Sequence, residues 1–276
     1  MDASIQFILN ILEKKIGLGF FEYHRPMIER QIMQRVEATE SAHFSEYSNH
    51  LQKNEKEVIC LLDVLTILVS QFFRDPLVFE YIGALILPEL ILKKSEMENN
   101  SLRIWSAGCS RGEEAYSMGI LIKELVKKVN SDLSVNIFAT DINKKALVQS
   151  QEAIYSHESV NDVKYGWLKK YFVINGDSFH LKPEIQNLVN MSFYNLLDTK
   201  SYAPPESIYG NFDMILCRNV LIYIQKESQN RIFEKFYRSL AEGGYLVLGN
   251  AETPTEKFQR YFHKVHEGCK IYQKHG

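Results

Sequence analysis

The sequence predicts an all-helical N-terminal domain followed by a doubly wound α/β domain that carries a small antiparallel β insert. Up to residue 75 apolar residues recur at helical spacing, whereas from residue 102 short apolar strands alternate with helical stretches. Such alternation indicates a parallel sheet covered on both faces. We therefore divide the chain into a helical domain at 1–75, a linker helix at 76–101 and an α/β domain at 102–276.

Composition narrows the class of protein. The 276 residues are 45% hydrophobic and 24% charged, with a net charge of −2, so no basic field points to nucleic acid. The four cysteines form no CxxC pair, which argues against a metal site and is typical of reduced thiols. No apolar run approaches the ~20 residues of a membrane span. We expect a cytoplasmic protein with no membrane insertion.

The helical domain is predicted from its apolar periodicity. The first helix contains Ile5, Ile8, Leu9 and Leu12. Pro26 suits the first turn of a second helix. A third helix begins near Phe44, with Ser45 as its candidate cap, and the pattern continues over residues 58–69. The segment 1–75 holds 8 basic and 11 acidic residues, a local net charge of −3.

The α/β domain is predicted from its strands and turns. Apolar strands are predicted at 102–106, 135–140, 212–217 and 245–248. Helical stretches are predicted at 113–129, 143–153 and 225–240. A turn at 175–177, Asn-Gly-Asp, separates two short β-prone runs and indicates a hairpin. We place the small β insert at about 171–193.

A small-residue turn links the first strand to the first helix of the α/β domain, over residues 105–114 (WSAGCSRGEE). Small residues such as Gly108 let the backbone approach a ligand, and the start of the helix supplies free N–H groups. The turn therefore predicts a nucleotide-cofactor site. The alternative is a tight turn that binds nothing.

Asp141 ends the next strand, 29 residues after Gly112. An acidic residue at this place in a doubly wound sheet binds ribose hydroxyls. The alternative is an N-cap for the helix that follows. Ribose binding is favoured because the small-residue turn precedes it.

Two further motifs combine arginine with polar neighbours. Arg218 and Asn219 follow the buried strand at 212–217, at the sheet edge where such folds bind ligands. A buried arginine needs a partner, so a structural ion pair is the alternative. Ser70 and Arg74 flank two phenylalanines, and the residues alone favour core aromatics beside a surface charge.

Together these motifs resemble the chemotaxis receptor methyltransferase family, CheR, over nearly the whole chain. The matching segments are 65–76, 104–117 with GCSRGEEAYS, 139–142, 195–197, 217–223 and 243–246. The family usually has asparagine and threonine where this chain has Leu68 and Ser70. The glycine-containing segment that follows the ribose aspartate in the family is Ala153-Ile154-Tyr155 here.

The resemblance implies a Rossmann-like domain that binds S-adenosylmethionine (SAM), with S-adenosylhomocysteine (SAH) as product. It implies a pocket lined by Ser70, Arg74, Gly108, Glu114, Asp141, Asn195, Leu196, Arg218 and Asn219. By the same analogy Arg74 and Tyr223 lie near the transfer site. The N-terminal helices would dock on the receptor's cytoplasmic helical bundle through Arg25, Arg30 and Arg35. For these arginines a solvated helix face is the favoured alternative, given the local net charge of −3.

The implied reaction is O-methylation of receptor glutamates, which adapts sensory signalling. The insert lacks a longer glycine-rich loop, so we expect no tether to a peptide at the receptor's C-terminus. Two rival interpretations stay open. One is a SAM-dependent enzyme acting on a small molecule or nucleic acid, and the other is a SAM-binding signalling protein without catalysis.

Overall fold

The computed structural model describes residues 3–96, 100–129 and 133–275. These residues form two compact units, one of residues up to 68 together with 221–229, and one of residues 69–220 together with the chain from 230 onwards. The predicted linker helix at 76–101 includes residues 97–99, which lie outside the described residues. No helix in the described ranges is both long enough and apolar enough to cross a membrane.

The helical unit confirms the predicted all-helical start of the chain. Its helices are α1 (Ala3–Ile16), α2 (Arg25–Ala38), α3 (Phe44–Lys53) and α4 (Glu55–Leu65). Pro26 lies in the first turn of α2, as predicted. The cap predicted at Ser45 is wrong, because α3 is capped by His43, whose Nδ1 accepts the Glu46 N–H at 3.2 Å.

A short segment from late in the sequence belongs to the helical unit. It comprises a 3₁₀ turn at Leu221–Tyr223 and the first residues of α11 (Lys226–Ser239). The side-chain amide of Gln225 donates to the Phe21 carbonyl at 3.0 Å and to the Tyr23 carbonyl at 2.9 Å. The His24 N–H donates to the Tyr223 carbonyl at 2.8 Å. Tyr223 is therefore held by the loop between α1 and α2.

The α/β unit begins with α5 (Pro76–Tyr81) and α6 (Leu87–Ser95), joined by a π-helical turn at Ile82–Ile86. Its other helices are α7 (Glu113–Val129), α8 (Lys144–Glu152), α9 (Tyr165–Tyr171), α10 (Pro183–Gln186), α12 (Glu256–Gln259) and the remainder of α11. Its strands are β1 (Ser101–Ala107), β2 (Ser134–Asp141), β3 (Ile154–Ser156), β4 (Phe172–Asn175), β5 (Ser178–Leu181), β6 (Val189–Phe193), β7 (Phe212–Cys217), β8 (Leu240–Leu248), β9 (Phe262–Lys264) and β10 (Ile271–Lys274).

The main sheet is doubly wound and mostly parallel, as predicted. Its seven strands lie in the order β6-β2-β1-β7-β8-β10-β9, with β9 and β10 antiparallel to their neighbours. The register pairs Ala107 with Thr140 and Ser106 with Leu216. The residues that follow β1, β2 and β7 therefore emerge at one edge of the sheet, where open α/β sheets bind ligands.

The small antiparallel sheet has the order β3-β5-β4. It contains the predicted hairpin, whose turn is built on Gly176 at φ +56°. The predicted extent of the insert, 171–193, is wrong at both ends. Ile154–Ser156 supplies a third strand, and Val189–Phe193 instead pairs in parallel with β2 in the main sheet.

Ala153 stands in a backbone conformation that favours glycine. It follows α8 at φ +51° and ψ +41°, the left-handed cap that glycine adopts without steric penalty. The end of α8 would therefore favour a glycine at this place. The buried methyl group of Ala153 packs in the core here.

Candidate cofactor site

The loop after β1 is shaped by two glycines. Gly108 lies at φ +84°, and a Cβ there would come within 2.5 Å of a Val220 methyl group. Gly112 lies at φ +87°. The N–H groups of Gly108 and Cys109 both donate to the Thr140 carbonyl, at 2.8 and 2.9 Å. Only glycine fits at Gly108 without displacing Val220. The two hydrogen bonds to Thr140 hold the loop against the end of β2.

Asp141 connects this loop to the end of β2. One carboxylate oxygen accepts the Ser110 N–H and the other accepts the Asn143 N–H, both at 2.8 Å. The N-cap alternative for Asp141 is wrong, because Asn143 caps α8 by accepting the Ala146 N–H at 3.0 Å. Burial raises the pKa of Asp141. Its carboxylate can accept further hydrogen bonds, as binding of a ribose diol requires.

Arg218 forms the centre of a buried ion-pair network. Its side chain is 2% exposed. It donates to the carboxylates of Asp75 at 2.7 Å and Glu114 at 3.2 Å, and to the Arg74 carbonyl at 2.8 Å. The ion pair that the sequence left as an alternative is therefore present, and it joins the residue after β7 to α7 and to the segment before α5.

Glu114 is held on both sides. Ser106 donates its hydroxyl to one carboxylate oxygen at 2.7 Å, and Arg218 approaches the other. Burial raises the pKa of Glu114, while the charge of Arg218 acts in the opposite direction. Because Arg218 compensates the charge, Glu114 can be buried as a carboxylate beside the cofactor loop.

The segment 70–76 is anchored on Ser117 of α7. Phe72 and Phe73 are buried, as the residues alone suggested. The Phe73 N–H donates to the Ser117 hydroxyl at 2.9 Å, and this hydroxyl donates to the Glu113 carbonyl at 2.6 Å. The segment is thus fixed to the helix that starts at the cofactor loop.

Arg74 is a half-buried side chain on the wall of a cavity of about 370 Å³. The cavity is lined by Ser70, Gln71, Arg74, Asp75 and Asp162, among others. One guanidinium nitrogen of Arg74 donates to the Val69 carbonyl at 2.9 Å. Burial raises the pKa of the neighbouring Glu113, and the Arg111 guanidinium, 3.3 Å from its carboxylate, acts in the opposite direction.

Asn195 and Leu196 lie next to Asp141 along the backbone network. The N–H of Tyr194 donates to the Asp141 carbonyl at 3.1 Å. The side-chain oxygen of Asn195 accepts the Leu197 N–H at 2.9 Å, which makes a compact turn after β6. Leu196 is 9% exposed. The pair therefore follows β6 close to the backbone of Asp141, the predicted ribose-binding residue.

Glu252 is a site residue that the sequence reasoning missed. Its carboxylate accepts the N–H groups of Asn219 at 3.0 Å, Val220 at 2.9 Å and Gly249 at 2.6 Å. It thereby holds Asn219 in its left-handed conformation, at φ +60°. A signal was present, since an acidic residue follows the last parallel strand, β8, at the ligand-binding edge of the sheet.

Several buried polar atoms at this edge have no hydrogen-bond partner among the described residues. They include the Ser110 hydroxyl and the Nε atoms of Arg111 and Arg218. Buried polar groups are normally satisfied, so unsatisfied ones call for a ligand or a water. A ligand such as SAM, which carries hydroxyl, amine and carboxylate groups, fits this need.

Most of the predicted site residues are brought together. Hydrogen bonds link the Gly108 loop, Asp141 and the Asn195 turn, and ion pairs link Glu114 and Arg218 to the Arg74 segment. Tyr223 folds with the helical unit. The parallel sheet, the small-residue loop and the acidic residue that ends β2 define a Rossmann-like domain with a nucleotide-cofactor site.

The chain belongs to the CheR methyltransferase family. The family's SAM binding domain matches residues 69–270, and its all-alpha domain matches residues 3–66. A chemotaxis protein methyltransferase from Borreliella burgdorferi is 32% identical over 89% of this chain and 86% of its own. Chemotaxis protein methyltransferase 2 of Vibrio cholerae is 31% identical over 87% and 82%, and the Escherichia coli enzyme 27% identical over 94% and 87%.

Proposed function

We propose that the protein transfers the methyl group of SAM to glutamate side chains on the cytoplasmic helical bundle of chemotaxis receptors. The observation that carries this proposal is the extent of the family match, which includes the helical unit as well as the SAM binding domain. The relatives named as chemotaxis methyltransferases align over about nine tenths of this chain. A methyl ester removes a negative charge from the receptor and so adapts its signalling.

The chemistry requires orientation rather than proton transfer. SAM, when bound, supplies an electrophilic methyl group on a sulfonium. A glutamate with a pKa of about 4.3 is ionised at neutral pH, so the site needs no general base. Arg74 keeps donors beyond its bond to Val69, and a guanidinium fork is suited to holding a carboxylate. We assign Arg74 and Tyr223 to the transfer site.

The remaining assigned residues bind the cofactor. Asp141 would accept hydrogen bonds from the ribose hydroxyls, and Asn195 and Leu196 would contact the adenosine half of the cofactor. Gly108 lets the loop approach the ligand closely. Ser70, Glu114, Arg218 and Asn219 complete the lining, at the sheet edge where ligands bind in this architecture.

Receptor docking would use exposed arginines of the helical unit. Arg25 and Arg30 are exposed on α2 and can serve. Arg35 does not qualify, because it donates to both carboxylate oxygens of Glu57 at 2.9 and 2.7 Å. Tyr47 donates to the same carboxylate at 2.8 Å. Arg35 therefore stabilises α2 against α4 and is not available as a contact.

Labelled SAM incubated with the protein and receptor-rich membranes tests the proposed reaction. Base-labile methyl label on the receptor is the expected result. Label on RNA or on a small molecule would instead establish the first rival function. SAH binding with no transfer to any acceptor would establish the second.

Arg74→Ala should impair transfer far more than stability. We expect the rate of methyl transfer to fall by about 100-fold, because the acceptor carboxylate loses its alignment. The free energy of unfolding should fall by only about 1 kcal/mol, since one hydrogen bond to a carbonyl is lost. Arg74→Lys is the matched variant, because it keeps the charge and loses the fork. A wild-type transfer rate in Arg74→Ala would remove Arg74 from the transfer site.

The receptor's C-terminal peptide should bind weakly or not at all. The β4–β5 hairpin carries only a short turn at 176–177, without the longer loop expected of a peptide-binding insert. In a calorimetric titration we expect a dissociation constant above about 100 µM. The exposed side chains of Val173 and Ile174 offer an apolar edge strand to such a peptide. Micromolar binding that is lost on changing these two residues would contradict the prediction.

A further inference from the structure

Lys235 is a buried lysine outside all of the motifs described above. It lies on α11 and is 4% exposed. Its amine donates to the Tyr194 hydroxyl at 2.6 Å and to the Asp198 carbonyl at 2.8 Å. Burial lowers its pKa to about 8, with Asp198 acting against this shift and Arg231 adding to it. Burying an amine costs free energy unless hydrogen bonds compensate it. The two hydrogen bonds of Lys235 therefore indicate a role in the fold or in the site.

The two acceptors of Lys235 bracket the turn that carries Asn195 and Leu196. Tyr194 precedes this pair and Asp198 follows it, with one residue between. The Asp198 N–H donates to the Asn195 carbonyl at 3.0 Å, which closes the turn. The Tyr194 hydroxyl in turn donates to the Ser201 carbonyl at 3.0 Å. One amine thus ties down both ends of a turn that follows an edge strand.

The same tyrosine is connected to the rest of the cofactor site. Its N–H donates to the Asp141 carbonyl, and its ring packs edge-on against Trp105, with centroids 5.7 Å apart. The indole N–H of Trp105 donates to the Thr140 hydroxyl at 2.9 Å. The Thr140 carbonyl accepts the Gly108 N–H. A shift of Tyr194 would therefore displace the cofactor loop through Trp105 and Thr140.

We propose that Lys235 is a positioning residue for SAM binding, which holds the Tyr194–Asp198 turn so that Asn195 and Leu196 are presented to the adenosine half of the cofactor. This inference rests on the proposed assignment of Asn195 and Leu196 to the SAM pocket. We assign the turn to the adenosine half because Tyr194, its first residue, is hydrogen-bonded to the backbone of Asp141, the residue assigned to the ribose.

Lys235→Met tests the inference, because methionine is close in length to lysine, remains apolar and lacks the donors. The dissociation constant for SAH, measured by calorimetry, should rise about 10-fold, since two buried acceptors lose their donor. The dissociation constant for adenosine should rise by the same factor. KM for SAM should rise in parallel, with kcat at saturating SAM within about 2-fold of the wild type. Arg238→Met, an exposed change one turn later on α11, is the control and should alter none of these.

Tyr194→Phe provides a milder second variant in case Lys235→Met folds poorly. It removes one acceptor of the amine and should raise the SAH dissociation constant by about 3-fold. In the double variant the losses should be less than additive, because both changes break one network. A normal SAH affinity in either variant, or fully additive losses, would overturn the inference. SAH binding needs no receptor, so absence of receptor methylation would refute the proposed substrate and leave this result intact.

Discussion

Arg218→Met should eliminate measurable SAM binding and methyl transfer, the largest effect that we expect from any single change. The substitution leaves the carboxylates of Glu114 and Asp75 without their shared cation. Breaking a buried ion pair by removing one partner costs about 3–5 kcal/mol, and we expect the lower end because Asp75 is 31% exposed. Chemical denaturation would measure the loss of stability, and SAH calorimetry the loss of binding.

A compensated variant separates the two roles of Arg218. Adding Glu114→Gln and Asp75→Asn to Arg218→Met removes the uncompensated charges, so stability should largely return. SAH binding should not return, because the network no longer positions the residues of the pocket. Arg238→Met, which breaks an exposed ion pair with Glu234, should change stability by less than about 1 kcal/mol. Recovery of SAH affinity in the triple variant would show that Arg218 serves stability alone.

Asp141→Ala should weaken SAH binding by about 100-fold, equivalent to two hydrogen bonds of about 1–3 kcal/mol each. The effect on folding should be smaller. Burial raises the pKa of Asp141, and a carboxyl group whose pKa is raised in the fold favours the folded state at low pH and loses that contribution as pH rises. At neutral pH the wild type therefore carries an unfavourable buried charge, which alanine removes along with the Ser110 and Asn143 bonds.

The pH dependence of SAH binding gives the same assignment a second readout. Protonation of Asp141 removes acceptors from the ribose, so affinity should fall on acidification. The fall should begin above the ordinary aspartate pKa of about 3.9, because burial raises the pKa of this group. Asp177→Ala, at the exposed hairpin turn, is the matched control and should keep the wild-type profile. Unchanged affinity in Asp141→Ala would refute the ribose assignment.

The sequence predicted those features that depend on local pattern. Apolar periodicity indicated the helices of the N-terminal unit, and the alternation of strands and helices indicated the parallel sheet. Asp141 and Arg218 were placed at the correct sheet edge, because strand ends in a parallel sheet converge there. The interpretation of Asp141 as a cap was also possible locally, since Asp141 and Asn143 are both good cap residues.

Features that depend on tertiary pairing escaped the sequence. Only the short helix α10 separates the hairpin from the five residues of β6, and nothing local shows that these pair with β2 instead. A lysine on a helix is usually expected to face solvent, and only the structure shows the buried partners of Lys235. The place of Glu252 after β8 was a signal, but the backbone N–H groups that it binds have no sequence pattern that would reveal its role.

The return of residues 221–229 to the helical unit has a consequence for the exchange of parts between related enzymes. A chimera that swaps only residues up to 68 would pair a foreign loop at 21–24 with the native segment at 221–225, where Gln225 recognises two carbonyls. The backbone pairing of Tyr23 with Ile224 would survive such a swap, but the side-chain fit of Gln225 depends on the path of that loop. The helical unit is therefore built from two separate segments of the sequence. A chimera must exchange the N-terminal helices and the segment 221–229, which carries Tyr223, together.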